Sequence, residues 1–178
     1  NFNNLTIILA FCSMPLAFTY PLMKRYTYWP QLFLGITFNY GLILGWTSIE
    51  NSVNLIPIIL YLGAIFWTLG YDTIYGYQDI TDDEIIGVKS TSIKFKESPK
   101  KFLNMSYLIF FLSLISIGLI SKMNIIFFFL SIILFYQLFF LQVKKFKKHD
   151  TTNCFKIFKS NNFLGFLVFA NLLINKII

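Results

Sequence analysis

The sequence predicts an all-α fold, a polytopic bundle of membrane-spanning helices, and three observations predict it. Six apolar stretches are each long enough to cross roughly 30 Å of hydrocarbon. The 178-residue chain is 56% hydrophobic and 20% aromatic, with a mean hydropathy of +0.65, and its 22 Phe exceed what one aqueous core hides. Its basic residues, finally, are distributed by side.

The first stretch, residues 4–22, is free of charge until Lys24 and Arg25. The second, 31–48, is equally uncharged but carries Asn39 at membrane depth. The third, 53–75, contains the charge-free run IPIILYLGAIFWTLG and then Asp72 near its end. Residues 103–121 and 123–142 are Phe-, Ile- and Leu-rich, with Ser121–Asn124 as the turn between them. The sixth, 161–177, follows a lysine-rich segment. Short turns, around Ser48–Asn51 and Ser121–Asn124, are expected on one side. The longer connections, about Tyr20–Pro30, Gly76–Phe102 and Val143–Ser160, are expected on the other.

With residue 1 outside, the inside connections hold Lys24, Arg25, Lys89, Lys94, Lys96, Lys100, Lys101, Lys144, Lys145, Lys147, Lys148, Lys156 and Lys159. That is 13 of the 15 basic residues, leaving Lys122 and Lys176 outside. Such asymmetry is the positive-inside rule. The net charge of +7 is therefore topological, and no nucleic-acid partner is expected. Cys12 and Cys154 are far apart, and His149 lies in a lysine run, so neither a metal–thiolate site nor a disulfide framework is predicted. The segment VKKFKKHDTTNCFKIFK reads as an anchor facing anionic head groups of the bilayer.

Five of the eight acidic residues, Asp72, Asp79, Asp82, Asp83 and Glu84, fall where the third apolar span ends. If that helix continues past Tyr75, then Asp72, Asp79 and Asp83 are spaced i, i+7, i+11 on one stripe, with Asp82 at its edge. Carboxylates this close repel unless a cation sits between them. Mg²⁺, which takes one or two protein carboxylates and shares its other positions with water and phosphate, suits the pattern. Downstream, Lys89 offers a mobile positive charge to a diphosphate, Ser90 and Thr91 offer hydroxyl donors, and Gly87 permits close backbone approach. The competing reading takes Thr81 to Glu84 as a capping box opening a surface helix. It leaves Asp72 unexplained.

The first inside connection reads YPLMKRYTYWPQ. Pro21 and Pro30 are expected to stop the flanking helices, and Tyr26, Tyr28 and Trp29 suit an interfacial aromatic belt. In the functional reading, Arg25, with Lys24 beside it, faces the bundle and clamps an anion. Asn39 either contacts substrate or bridges two helices.

YPLMKRYTYWPQLFLGITFNYG followed by YDTIYGYQDITDDEIIGVKST closely resembles the UbiA superfamily of intramembrane prenyltransferases. The resemblance implies a bundle of nine transmembrane helices whose Asp-rich motifs bind Mg²⁺ and the diphosphate of a polyprenyl donor. It implies transfer of the polyprenyl group to 4-hydroxybenzoate, a ring-prenylation step of ubiquinone biosynthesis. The second Asp-rich motif falls on Asp79 and Asp83, with Asp82 between. The YDT falls on Tyr71, Asp72 and Thr73, the KST on Lys89, Ser90 and Thr91, and the arginine that helps hold the aromatic acid on Arg25. Tyr71, Tyr75 and Phe38 are the aromatic candidates for stabilising an allylic cation through their π faces.

The family's first motif, NDxxDxxxD, has no counterpart in residues 1–70. Six spans against nine, and a chain that opens on Asn1, predict one membrane domain over residues 1–178 that lacks its N-terminal helices and is inactive alone. A bacterial cytoplasmic membrane is expected, with the mitochondrial inner membrane as the alternative. Polyprenyl diphosphate, 4-hydroxybenzoate and the lipid bilayer are the expected partners, with no obligate protein partner. The rival from another class is a cation-coupled transporter fragment, against which the carboxylates lie at a span's end rather than at the midplane.

Overall fold

A computed structural model describes residues 2–177, with side chains through Asn175; the charge of Lys176, counted above as outside, falls beyond those described. Six helical spans cross the length of a membrane, at Asn4–Tyr26, Pro30–Glu50, Leu55–Gly76, Pro99–Ile120, Ile125–Val143 and Thr151–Asn175. No strand occurs among the described residues, so the chain is an all-α integral membrane bundle.

Asn3 opens α1 (Asn4–Thr19) by accepting a hydrogen bond from the Thr6 amide. The helical path does not stop at Pro21, as expected, but tightens into a 3₁₀ turn at Tyr20–Leu22 and runs on as α2 (Met23–Tyr26). A 3₁₀ turn accommodates the proline because Pro21 takes one of its first positions, where no amide donor is needed. The break comes at Thr27–Trp29, and Pro30 begins α3 (Pro30–Phe38). The second span is interrupted once, at Asn39–Tyr40, before α4 (Gly41–Glu50).

Then come α5 (Leu55–Gly76), capped by Asn54, and two short helices, α6 (Ile80–Ile86) and α7 (Thr91–Lys94). After these, α8 (Pro99–Ile120) and α9 (Ile125–Tyr136) form an antiparallel pair. α9 widens into a π-helical stretch at Gln137–Val143. The last helix, α10 (Thr151–Ile177), begins ten residues earlier than the apolar stretch suggested. Asp150 allows this: its carboxylate accepts from the Asn153 amide and the Thr152 hydroxyl, opening a helix through a lysine-rich segment. The predicted anchor loop is therefore mostly helix.

The packed centre lies among α5, α8, α9 and α10, around Tyr107, Phe110, Leu114, Leu134, Leu138 and Leu164. In α1, only Thr6 is buried. Polar side chains stitch the spans together inside the apolar zone. Thr6 donates to Thr47 at 3.0 Å, and the Tyr61 hydroxyl to the Ile36 carbonyl at 2.7 Å. Asn161 accepts from Trp67 and Gln142, while Gln142 accepts from the fully buried Tyr107 hydroxyl at 2.7 Å. The π-helical turn shifts the register of α9 so that both Gln137 and Gln142 are buried.

Small residues on α5 make room for side chains of α8. A Cβ on Gly70 would lie 2.4 Å from the Tyr107 ring, and one on Gly63 would collide with Ser113. We expect Gly70→Ala to lower the melting temperature of the detergent-solubilised protein. Overpacking of about 1–3 kcal/mol corresponds to roughly 3–10 °C at this chain length. Gly41→Ala, where a Cβ meets nothing within 4 Å, should leave it unchanged or slightly raised. Equal effects at both positions would refute the packing account.

Candidate functional site

The inside end of α5 is where the third span, the first inside connection and the acidic segment converge. α5 stops at Gly76, a turn follows at Tyr77 and Gln78, and α6 opens at Ile80. Asp72 and the pair Asp79/Asp83 are therefore not on one continuous helix, which corrects the stripe expected from their spacing. The chain turns instead, and its return brings α7 back onto the end of α5, with α6 packed on α7.

Polar contacts hold that return in place. Thr73 and Thr91 share a hydrogen bond at 2.6 Å, and the Ser92 hydroxyl donates to the Thr73 carbonyl at 2.8 Å. A Cβ on Gly76 would lie 2.4 Å from Ser92 Oγ, so glycine lets α7 close against α5. The amide of Thr91 donates to Gln31 Oε1 at 2.9 Å, tying the segment to α3. The Lys89 amide donates to the Lys24 carbonyl at 2.8 Å, and Lys89 Nζ to the Tyr26 carbonyl at 3.2 Å. The two inside connections are thereby strapped together.

Around this strap lies a cavity of about 240 Å³ lined by Tyr20, Lys24, Gln31, Leu34 and Asp72. Lys24 also meets Asp83 Oδ2 at 3.9 Å. One ammonium thus lines the cavity with Asp72 and also reaches the Asp83 carboxylate outside its lining. Asp83 is buried, and desolvation raises its pKa above the ordinary 3.8; Lys24 opposes the rise, while Asp79 and Asp82 add to it.

The capping box is not formed. Asp79, not Thr81, occupies the N-cap of α6, and its side chain makes no capping bond. Glu84 pairs instead with Lys96 at 2.6 Å. Asp79 and Asp82 are exposed with their carboxylates free of caps, while Asp83 is turned inward. Among the described residues no three acidic, His or Cys side chains gather where one ion would touch all of them. Gly87, with φ +80°, closes α6 in the left-handed conformation, and no atom lies within 4 Å of an added Cβ. Its left-handed dihedral is what favours glycine at this position.

Several expected ligand contacts take other positions. Ser90 is fully buried and caps α7 by accepting from the Ile93 amide; Thr91 is fully buried against Thr73. These two hydroxyls position the segment rather than face a diphosphate. Asn39 donates to Thr68 Oγ1 at 2.8 Å and lies against the Gly35 and Ala64 carbonyls, so it bridges α3 and α5. Arg25 is exposed on α2, with no hydrogen bond or ion pair among the described residues, and does not face the cavity. Tyr75 and Tyr71 pack on Phe158 of α10, with centroids at 4.8 and 5.8 Å, and Phe38 is 70% exposed.

Gln31 was missed. It is only 4% exposed, it lines the cavity beside Asp72, and its Oε1 is occupied by the Thr91 amide. The available signal was a polar residue one position inside an apolar span, directly after Pro30.

The UbiA prenyltransferase family matches residues 1–170. The 4-hydroxybenzoate octaprenyltransferase of Psychromonas ingrahamii is 38% identical over 170 residues, 96% of this chain and 59% of its own length. The mitochondrial 4-hydroxybenzoate polyprenyltransferase of Bos taurus is 36% identical over 98% of this chain and 47% of its own. 4-Hydroxybenzoate geranyltransferase 1 of Lithospermum erythrorhizon is 37% identical over 99% and 57%. The chain thus spans about half the length of these relatives. No solved structure matches it.

The charge arrangement yields a titration test. A carboxyl with a raised folded pKa contributes most to stability below its unfolded value, near pH 4, and that contribution is lost as pH rises through the raised value. By ¹³C NMR of Asp-labelled protein in micelles, Asp83 should release its proton above 3.8. Lys24→Met should move the midpoint higher still. A midpoint that stays put in the variant would show that the Lys24 charge does not reach Asp83.

Proposed function

From its membership of the UbiA prenyltransferase family, which the match over residues 1–170 establishes, we propose that the protein transfers a polyprenyl group from polyprenyl diphosphate to the ring of 4-hydroxybenzoate. The observation that carries this reading is that Lys24, which lines the cavity with Asp72, also reaches Asp83 of the acidic segment at 3.9 Å. Residues 1–178 serve as one membrane domain of that enzyme. The activity belongs to the complete protein, in the ring-prenylation step of ubiquinone biosynthesis.

The acidic segment fits a hard divalent cation in its donor chemistry. Asp79 and Asp83 are i, i+4 neighbours at the start of α6, about 5–6 Å apart at Cβ. Neither is consumed by a cap, and Mg²⁺ needs only one or two protein carboxylates when water and diphosphate oxygens complete its shell. Asp79 and Asp83 would hold the ion, with Asp82 beside them. Bound Mg²⁺ supplies neutralisation of the charge that builds on the departing diphosphate.

The chain's own residues do the rest. Lys24 and Lys89, strapped together by the Lys89 amide, present two ammonium groups to the anionic leaving group. The allylic C–O bond breaks with its electron pair going to the diphosphate oxygen. The ring carbon ortho to the phenol then forms the new C–C bond, and the proton on that carbon is lost. Gln31, with one amide atom committed to Thr91, has its nitrogen left to orient a bound anion. Apolar helix surfaces beside the cavity accept the isoprenoid tail.

In membranes carrying the complete protein, supplied with Mg²⁺, prenyl diphosphate and labelled 4-hydroxybenzoate, Asp83→Ala and Asp79→Ala should each lower product formation by at least about 100-fold, the scale of lost transition-state charge stabilisation. Arg25→Ala, at an exposed position, should alter the acceptor KM by no more than about threefold, as surface changes away from a site do. Near-normal turnover by Asp83→Ala would overturn the metal role.

A further inference from the structure

A second cavity, of about 380 Å³ and lined by other residues than the Asp72 cavity, opens among the connections that carry the lysines. Lys100, Lys101 and Lys148 line it, Glu97 contributes the single acidic side chain, and the buried Phe146 lies beneath. Two of the lysines are anchored rather than swinging free. Lys100 Nζ donates to the Lys144 carbonyl at 3.0 Å, and Lys148 Nζ to the Lys96 carbonyl at 2.9 Å. Each keeps two N–H donors for another acceptor.

The apolar surface next to this cavity is of a matching kind. Lys101, Met105, Leu108 and Leu112 are spaced i, i+4, i+7, i+11 along α8, one face of a helix. The three apolar members are 51, 45 and 53% exposed. On the neighbouring π-helical stretch, Lys144 sits over the ring of Phe140 at 5.7 Å, and Phe140 is itself 44% exposed. A cation resting on a lipid-facing aromatic marks the depth at which head groups give way to acyl chains.

We propose that this cavity binds the phosphate head group of an anionic phospholipid, with its acyl chains lying along Met105, Leu108 and Leu112. Lysines clustered by topology alone would be interchangeable along the inside face. Here three of them line one cavity at the end of an exposed apolar stripe, which favours a diacyl phosphodiester over free phosphate. Free phosphate makes no use of the stripe.

The test uses the complete protein, purified in detergent and equilibrated with equal amounts of dioleoyl phosphatidylglycerol and dioleoyl phosphatidylcholine, with retained lipid counted by native mass spectrometry. Phosphatidylglycerol should be retained in preference. Lys100→Gln/Lys101→Gln/Lys148→Gln should reduce that preference about tenfold or more. Lys145→Gln/Lys156→Gln/Lys159→Gln, the same charge change on the same face, should reduce it no more than about threefold. Equal losses in the two triple variants would overturn the site. Lys101→Gln alone removes an ammonium that makes no hydrogen bond among the described residues, and it should weaken retention without lowering the melting temperature. Unchanged retention in this single variant would also count against the proposal. Displacement of the lipid by millimolar inorganic phosphate would assign the cavity to phosphate instead and overturn the lipid assignment.

Discussion

A polar group inside hydrocarbon must find its partner within the protein, and the arrangement of these helices follows from that constraint. Apolar surface alone does not choose a neighbour in a membrane, since lipid tails solvate Leu and Phe as well as another helix does. The choosing is done by Asn39 on Thr68, Thr6 on Thr47, Tyr61 on a carbonyl of α3, and the Trp67–Asn161–Gln142–Tyr107 chain. Each joins two different spans. Where glycine or serine is placed opposite, as at Gly63 and Gly70, the backbones come close enough for dispersion to add to these bonds.

At the inside end the same constraint leaves a carboxylate without a structural partner. Asp72 sits one turn from the end of α5 and finds no hydrogen-bond donor among the described residues. Its nearest charge of opposite sign is Lys24, across the cavity, which is also the cation nearest Asp83. A carboxylate at such a position without a structural partner is the feature on which its proposed ligand role rests. Thr73, Thr91, Ser90 and Ser92, by contrast, are fully engaged with one another and with neighbouring backbone. They form the frame that returns α7 to α5, and so hold one end of the segment that carries the acidic residues.

The inside face carries lysines with more than one task. Lys24 and Lys89 belong to the strap at the Asp72 cavity, Lys96 pairs with Glu84, and Lys94 lies over the Trp29 ring at 4.4 Å. Lys100 and Lys148 are bound to carbonyls of other segments. Topological charge and local function are thus served by the same residues, because a lysine held inside for orientation is also at the depth where phosphate groups lie.

The sequence by itself determined the six membrane-length spans and the segments that carry the acidic and basic groups. All of these rest on the hydropathy and charge of runs of residues, which do not depend on what packs against them. It was less informative at boundaries: Pro21 was passed by a 3₁₀ turn, and α10 began within the lysine-rich segment because Asp150 capped it. Only the tertiary structure decided that Lys24 stands between Asp72 and Asp83, that Gln31 shares the cavity of Asp72 and Lys24, and that Asn39, Ser90 and Thr91 are joints. Those outcomes depend on which distant partner reaches each polar atom first. Residue spacing within one helix cannot carry that information.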